Sequence, residues 1–315
     1  MSGRMEMDNK REKWIEEKLT SCSQIIRDYM TSICQPIKTS ATRKAYLGYL
    51  LDYENFVEDL GIDMIDAKPM HIDKYRSNLI KKGNGNSIIN TKLSAVDSFY
   101  EFLKSNEFIT SNPCDKIKKL RINEKSTVVS MTDKEVDLLK SNIKTRESRK
   151  VAKWKNRDVC IVQLGCSTGL RVSAIVNIDI KDIDFDKKEV SVIEKGNNPR
   201  TILLGDRTIN MIRTWMGDRE KIMDGEKYTD ALFISQKKNR ISVRAVEEMI
   251  EKNSNNIGKH ITPHKMRSTC GMRLYEKKHD IYLVQQQLGH KNIKNTQIYA
   301  KASKAMLREA ANILD

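Results

Sequence analysis

The sequence predicts a mainly α-helical protein with a small β component (α+β), arranged as two domains. Three observations carry this. At 315 residues the chain is longer than one compact core usually accommodates and fits two domains of ordinary size. Apolar residues between Ser40 and Asn106 recur at three- and four-residue intervals, the period of amphipathic helices. The β-prone runs are short, lie past the middle of the chain, and include a pair separated by one turn-forming segment. With 39% hydrophobic residues placed at these intervals, the chain has the apolar faces that disordered sequences lack.

From Ser40 onward, Tyr46, Leu50, Tyr53, Phe56, Val57 and Leu60 mark one helix, with Gly61 as its stop. A second is predicted over His71 to Lys82 after Pro69. A third, from Ser87 to Asn106, carries Ile88, Leu93, Val96, Phe99, Tyr100 and Leu103, and residues 10–30 give a weaker fourth. This helical domain is assigned to residues 1–121 and closes with the Asn112-Pro113 breaker. The stretch Pro113 to Lys125 sets five basic side chains against Asp115 and Glu124 and reads as a basic connection, with residues 122–131 as the linker proper. The second domain is assigned to 132–315. It starts where Thr132 and Glu135 form a capping box ahead of Val136, Leu138 and Leu139. Val190–Glu194 and Thr201–Leu204, separated by Lys195-Gly196-Asn197-Asn198-Pro199-Arg200, read as a hairpin, and Ala231–Ser235 as another short strand. Helical patterns return at Val243–Glu251, after Pro263, at Ile281–Leu288 and at the carboxyl end.

Composition narrows the function. The 57 lysines and arginines outnumber the 42 acidic residues, leaving a formal net charge of +15 that favours a polyanionic partner. The uncharged stretch Val159–Leu170 is well short of the roughly 20 residues that cross a bilayer. The opening MSGRMEMDNKREKW lacks the apolar run of a secretory signal, so a cytoplasmic location and no membrane partner are expected. Six scattered cysteines form no Cys-x-x-Cys pair and read as reduced, mostly buried thiols. Neither a Walker-type nor a dinucleotide-binding glycine pattern occurs, so no cofactor is expected.

Three separated segments carry the chemistry: TGLRVSAIVNI from Thr168, HKMRSTCGMRLY from His264, and QLGHKNIKNTQIYA from Gln287. Lys195 follows Arg171 by 24 residues, and Tyr299 follows His290 by 9. Together these segments and spacings resemble the tyrosine recombinase (integrase) family, with looser likeness at Thr42-Arg43-Lys44-Ala45-Tyr46 and Lys92-Leu93-Ser94-Ala95. The resemblance implies a helical core-binding domain joined to a mixed catalytic domain. It also implies a site-specific recombinase that cleaves and rejoins DNA through a 3′-phosphotyrosyl intermediate.

Phosphodiester exchange without a nucleotide needs a nucleophile, clamps for the phosphate charge and an acid for the leaving oxygen. Two guanidiniums, from Arg171 and Arg267, suit the clamp because their planar forks match a phosphate's oxygens. His264 lies three residues before Arg267, just after Pro263, so both share a helix face. The resemblance makes Lys195 the leaving-group acid, Tyr299 the nucleophile and His290 a donor to a phosphate oxygen. Each has an ordinary rival: Arg171 as a surface residue at a helix start, His290 as a loop cap, Lys195 as a solvated turn lysine, and Tyr299 as one of ten tyrosines, chosen over Tyr275 and Tyr282 only by its offset from His290. His264 and His260 are four apart, but Pro263 falls between them and no HExxH glutamate follows, so no metal site is expected.

The sequence departs from the family twice. Ala174 stands where the family usually has an acid three residues after the first arginine, and Ser268 where it often has histidine. The missing carboxylate is expected either to leave Arg171 less firmly oriented or to be replaced by another acid, such as Asp182 or Asp184. A basic run, Lys144 to Arg157, and the residues Arg43, Lys44, Lys92, Lys118 and Lys119 are candidate phosphate contacts. The partners expected are a double-stranded DNA site and further copies of the chain, two on a core site and four in the synapse. The tail 301–315 places Ala302, Met306, Ala310 and Ile313 on one side of a helix, suited to docking on its own domain or on a neighbouring copy. A type IB topoisomerase-like enzyme and a non-catalytic DNA-binding regulator are the competing readings.

Overall fold

The computed structural model describes residues 2–121, 129–144, 153–194, 198–224, 229–290 and 292–300. The chain divides into two units, Met1–Glu124 and Lys125–Asp315.

The first unit is helical. Its helices are α1 (Ser2–Ser21), α2 (Gln24–Tyr29), α3 (Gln35–Ile37), α4 (Ser40–Glu58), α5 (Pro69–Lys81) and α6 (Asn86–Ser105), with a π-helical turn at Met30–Cys34 joining α2 to α3. The expected apolar periodicity builds the core. Leu47, Leu50, Tyr53 and Val57 of α4 pack with Ile72, Tyr75 and Leu79 of α5 and with Leu93, Val96, Phe99, Tyr100 and Leu103 of α6. Two residues assigned to the apolar faces stay outside: Leu60 lies beyond the end of α4 and Ile88 sits in the first turn of α6, 40% and 50% exposed. Tyr53 and Tyr100 pair their phenols, whereas the buried Tyr75 hydroxyl has no hydrogen bond among the described residues. Tyr100 donates to the Met64 carbonyl at 2.9 Å, so the 2.8 Å contact between the Tyr53 and Tyr100 oxygens uses the Tyr53 proton.

The stretch after Pro113 does not run free through its described part. Asn90 holds the Leu120 backbone from both sides, at 2.8 and 2.9 Å, and Arg76 and Asn86 bind the Lys118 and Arg121 carbonyls. Residues 113–121 are therefore a strap on the helical unit. Residues 122–128 lie outside the described residues.

In the second unit the capping box forms as expected: the Thr132 amide donates to Glu135 at 2.7 Å and the Glu135 amide to Thr132 Oγ1 at 3.2 Å, opening α7 (Asp133–Lys144). Helix α8 (Lys155–Thr168) is buried on nearly every side and forms the axis of the core, against α7, α10 (Asp206–Met223) and α12 (Pro263–Lys278). Between them come α9 (Val172–Asn177), the strands β1 (Ile183–Asp184), β2 (Glu189–Glu194) and β3 (Asn198–Leu203), and α11 (Val243–Asn253). The sheet is antiparallel in the order β1-β2-β3, and its hairpin aligns Glu194 with Asn198 and Val190 with Ile202. Helices α13 (Ile281–Leu288) and α14 (Lys294–Ala300) follow.

Ala231–Ser235 forms no strand ladder. Ala231 to Ile234 are fully buried, but the segment makes one isolated bridge with Asp179 and another with Arg240. Three of its carbonyls accept from side chains, Trp215 donating to Leu232, Arg219 to Ala231 and Arg157 to Ile234, while the Phe233 carbonyl accepts from the Ile241 amide. The β-prone composition reflected burial, and side chains took the places of a partner strand. All six cysteines are buried and unpaired. No described helix is long and apolar enough to cross a membrane.

Candidate active site

Helix α8 ends at Gly169, in the left-handed conformation at φ 68°. A Cβ there would lie 2.4 Å from Leu288 Cδ2, so glycine both makes the turn and admits α13. Two residues later Arg171 sits at the N-cap of α9. Pro263 occupies the first turn of α12, which places His264 at the helix start, exposed, and Arg267 one turn further in, 3% exposed. Arg267 donates to the Gly169 carbonyl at 2.6 Å and to that of Leu288, tying the Arg171 turn and the end of α13 to α12. Gly289 ends α13 at φ 63°, and His290 follows. Its Nδ1 lies 3.0 Å from the hydroxyl of Thr296, which is fully buried on α14. Tyr299, on the same helix, is 2% exposed. Its ring lies over Gly271 of α12, where a Cβ would come within 2.8 Å of Tyr299 Cζ.

The electrostatics set the protonation states. Burial, then Arg267, Arg171 and His264, push His290 down to about 4. His264, though its ring reaches solvent, is partly desolvated at the helix start, and this together with the same two guanidiniums lowers it from its ordinary value. Both imidazoles are therefore neutral near pH 7. Burial raises the Tyr299 phenol, against the pull of a Ser268 hydrogen bond and Arg267, so its hydroxyl is protonated. Arg267 falls to about 10, chiefly through burial and then Arg171.

The structure thus brings together Arg171, His264, Arg267, His290 and Tyr299, from segments far apart in sequence, within the second unit alone. Lys195 lies outside the described residues, between Glu194 and Asn198, as does the tail 301–315. The expected orienting acids are elsewhere: Asp182 accepts from the Asp179 amide, and Asp184 from the amides of Asp186 and Lys187. Each is consumed by its own local turn. The acid at Arg171 is Glu194, whose Oε2 accepts from Arg171 Nη1 at 2.7 Å. Arg200 also serves the site, donating to the Gln286 and Gln287 carbonyls at the end of α13. A glutamate beside the hairpin lysine was the available signal for Glu194. Nothing in the sequence shows that its partners come from three other segments.

The candidate phosphate contacts differ in what they already bind. Arg43 pairs with Glu12, Lys44 lies 4.6 Å over the Trp14 ring, and Lys92 pairs with Asp52 at 2.6 Å. Lys118 and Lys119 are exposed. Of the basic run, residues 145–152 and the Lys144 side chain lie outside the described residues. Arg157 is corrected: it is buried, paired with Asp158 at 2.7 Å and bound to the Ile234 carbonyl, a core residue and not a surface cation. No group of three His, Cys, Asp or Glu able to hold a metal occurs among the described residues.

Residues 129–306 match the phage integrase family, and residues 38–107 match the phage integrase N-terminal SAM-like domain. The chain belongs to this family, the tyrosine recombinases, and its activity is site-specific DNA recombination. Within it, the chain is 32% identical to Tyrosine recombinase XerC of Caldanaerobacter subterraneus subsp. tengcongensis over 263 residues, 81% of this chain and 71% of that one. Its fold is similar to that of the XerH site-specific recombinase bound to palindromic difH substrate in a post-cleavage complex (TM-score 0.73, 20% identity, 97% of this chain and 89% of that one). It is similar too to a lambda integrase dimer bound to a COC′ core site (TM-score 0.68, 15% identity, 89% and 95%).

Proposed function

We propose that Tyr299 is the nucleophile of the recombination reaction, that Arg171 and Arg267 clamp the scissile phosphate, and that His264 and His290 contact its oxygens. One observation carries this: two guanidiniums from separate segments converge beside two neutral imidazoles and a buried phenol. The Tyr299 oxygen forms a bond to phosphorus as the bond to the 5′ oxygen breaks. One DNA end stays on the enzyme as a 3′-phosphotyrosine and the other leaves as a 5′-hydroxyl. Attack requires loss of the phenolic proton, and neutral His264 is the form of imidazole able to accept it. The 5′ oxygen takes its proton from Lys195. The clamps offset charge building on the phosphate oxygens, in a site where burial strengthens each contact. Because Tyr299 is almost wholly buried, bound DNA has to uncover its hydroxyl. The phosphodiester energy is kept in the phosphotyrosine, and attack by a second 5′-hydroxyl rejoins the strand.

The helical unit binds the core site, with Arg43, Lys44, Lys92, Lys118 and Lys119 toward the backbone. Two copies occupy a core site, a reading supported by the lambda integrase dimer on its COC′ core site, and two such pairs form a tetrameric synapse. The test is a nicked suicide duplex carrying the recombination site. Tyr299→Phe is expected to bind it with near-unchanged affinity and to form no denaturant-resistant adduct. An adduct from that variant would move the nucleophile to another residue.

A further inference from the structure

Glu194 is a buried carboxylate surrounded by three guanidiniums. Its side chain is 4% exposed, with Arg171 at 2.7 Å, Arg200 at 3.5 Å and Arg267 at 3.8 Å. A charge removed from water this completely is tolerated only where it is paired. Here one negative charge is shared among three positive ones, so the cluster keeps a cationic excess. Among the described residues only the Arg171 contact is a hydrogen bond: Glu194 Oε1 and Arg200 Nη1 are buried and make none there.

The hairpin register delivers this carboxylate. Side chains of β2 alternate between core and solvent, Val190 and Val192 pointing inward, and Glu194 is the next inward position at the end of the strand. Arg200 returns on β3, and its guanidinium lies in the space left by Gly289, where a Cβ would be 2.4 Å from Nη1. Ala174, three residues after Arg171, is buried among apolar side chains and offers no charge. The acid that meets Arg171 therefore arrives from the sheet and not from the helix that Arg171 begins.

We propose that Glu194 is the positioning carboxylate of the recombinase site, holding Arg171 and Arg267 against their mutual repulsion in the geometry that receives the scissile phosphate. Glu194 itself contacts no reacting atom. It acts through the two arginines, so the proposal rests on their reading as the phosphate clamp. It also fixes the hairpin strand that leads into Lys195, since the same carboxylate ends β2.

The charges facing Arg267 are Arg171 and Arg200, which disfavour its protonated form, and Glu194 and Tyr299, which favour it; His264 and His290 complete the surroundings and are neutral above pH 7. Removing the Glu194 charge moves Arg267 further down. The test is single-turnover adduct formation by the full-length chain on the suicide duplex across pH 6.5 to about 9.5, with half-site affinity and thermal melting measured in parallel. Glu194→Gln is expected to slow adduct formation by up to about 100-fold, the loss typical of a reacting group misplaced by about an ångström, while half-site affinity stays close to wild type. Its rate is expected to fall away at lower pH than that of the wild type. Glu194→Asp keeps the charge on a shorter arm, and is expected to be slower than wild type with the alkaline limit unchanged. Ala174→Glu in the Glu194→Gln background, which returns an acid to the Arg171 helix, is expected to recover part of the rate.

Wild-type rate and pH profile in Glu194→Gln would overturn the proposal. So would rate, affinity and melting temperature falling together, the pattern of a purely structural residue. If Glu194→Gln fails to fold, Glu194→Asp decides, and an alkaline limit that moves in Glu194→Asp rejects the role. Failure of the underlying clamp reading is separate, because it appears as wild-type adduct formation in Arg171→Ala or Arg267→Ala.

Discussion

The two units differ in how much charge they concentrate in one buried place. In the helical unit the buried phenols and amides are neutral and several close on their neighbours: Tyr53 to Tyr100 to the Met64 carbonyl, Tyr29 to Ser98, and Asn112 to the more exposed carboxylates of Asp97 and Glu101. Ser23 Oγ, Arg43 Nε and the Tyr75 hydroxyl are buried there without a hydrogen bond among the described residues. In the second unit the core ends in a knot of full charges, three guanidiniums about one carboxylate, where Glu194 Oε1 and Arg200 Nη1 make no hydrogen bond among the described residues. Neutral hydrogen bonds contribute stability and carry no net charge to offer an anion. A cationic cluster with spare donors binds an anion, because a phosphate can satisfy what the protein leaves open.

That contrast can be broken most forcefully at the clamp. Arg171→Ala or Arg267→Ala is expected to slow adduct formation roughly 100- to 1000-fold while DNA binding drops far less. Equal losses in both, measured by quench-flow and gel shift, would reduce the arginines to general DNA contacts. The next effect is steric. Gly271→Ala puts a methyl 2.8 Å from Tyr299 Cζ and 2.9 Å from Leu288 Cδ1. Displacement of the ring is expected to slow the adduct and lower stability by about 1–3 kcal/mol, and an alanine variant with wild-type rate and melting would show that the ring yields freely.

The helical unit provides the counterpart. Tyr53→Phe removes one buried neutral hydrogen bond and is expected to lower stability by about 0.5–1.5 kcal/mol with adduct formation unchanged at 25 °C. A catalytic defect in this folded variant would show that the two units are not chemically separable. The smallest effect is on acid stability. His290 is held near 4 in the folded chain, below the ordinary imidazole value of 6.5, so the unfolded chain takes up this proton first. The stability it contributes is present above pH 6.5 and is lost as pH falls toward 4. His290→Asn is expected to flatten the melting-temperature slope across that window, and a slope equal to the wild type's would place the acid sensitivity elsewhere.

The sequence by itself determined the helical periodicity of the first unit, the capping box at Thr132, the hairpin around Lys195 and the grouping of Arg171, His264, Arg267, His290 and Tyr299. These are legible because they rest on local spacing: a helix face repeats within its own segment, and the site motifs keep their short-range patterns. Ala231–Ser235 shows where this fails. Its apolar, β-prone residues signal burial, but whether buried backbone meets a strand or the side chains of Trp215, Arg219 and Arg157 depends on what packs around it. Arg157 shows the same for charge, since a cation in a basic run went into the core once Asp158 and a carbonyl were placed to receive it. Tertiary structure alone decided which acid meets Arg171. Asp182 and Asp184 are nearer in sequence, but each is used by its own turn, while Glu194 is carried in by the pleat of β2 and the packing of α12 and α13 against the end of α8. The Coulomb interaction follows distance in space, and separation along the chain does not enter it.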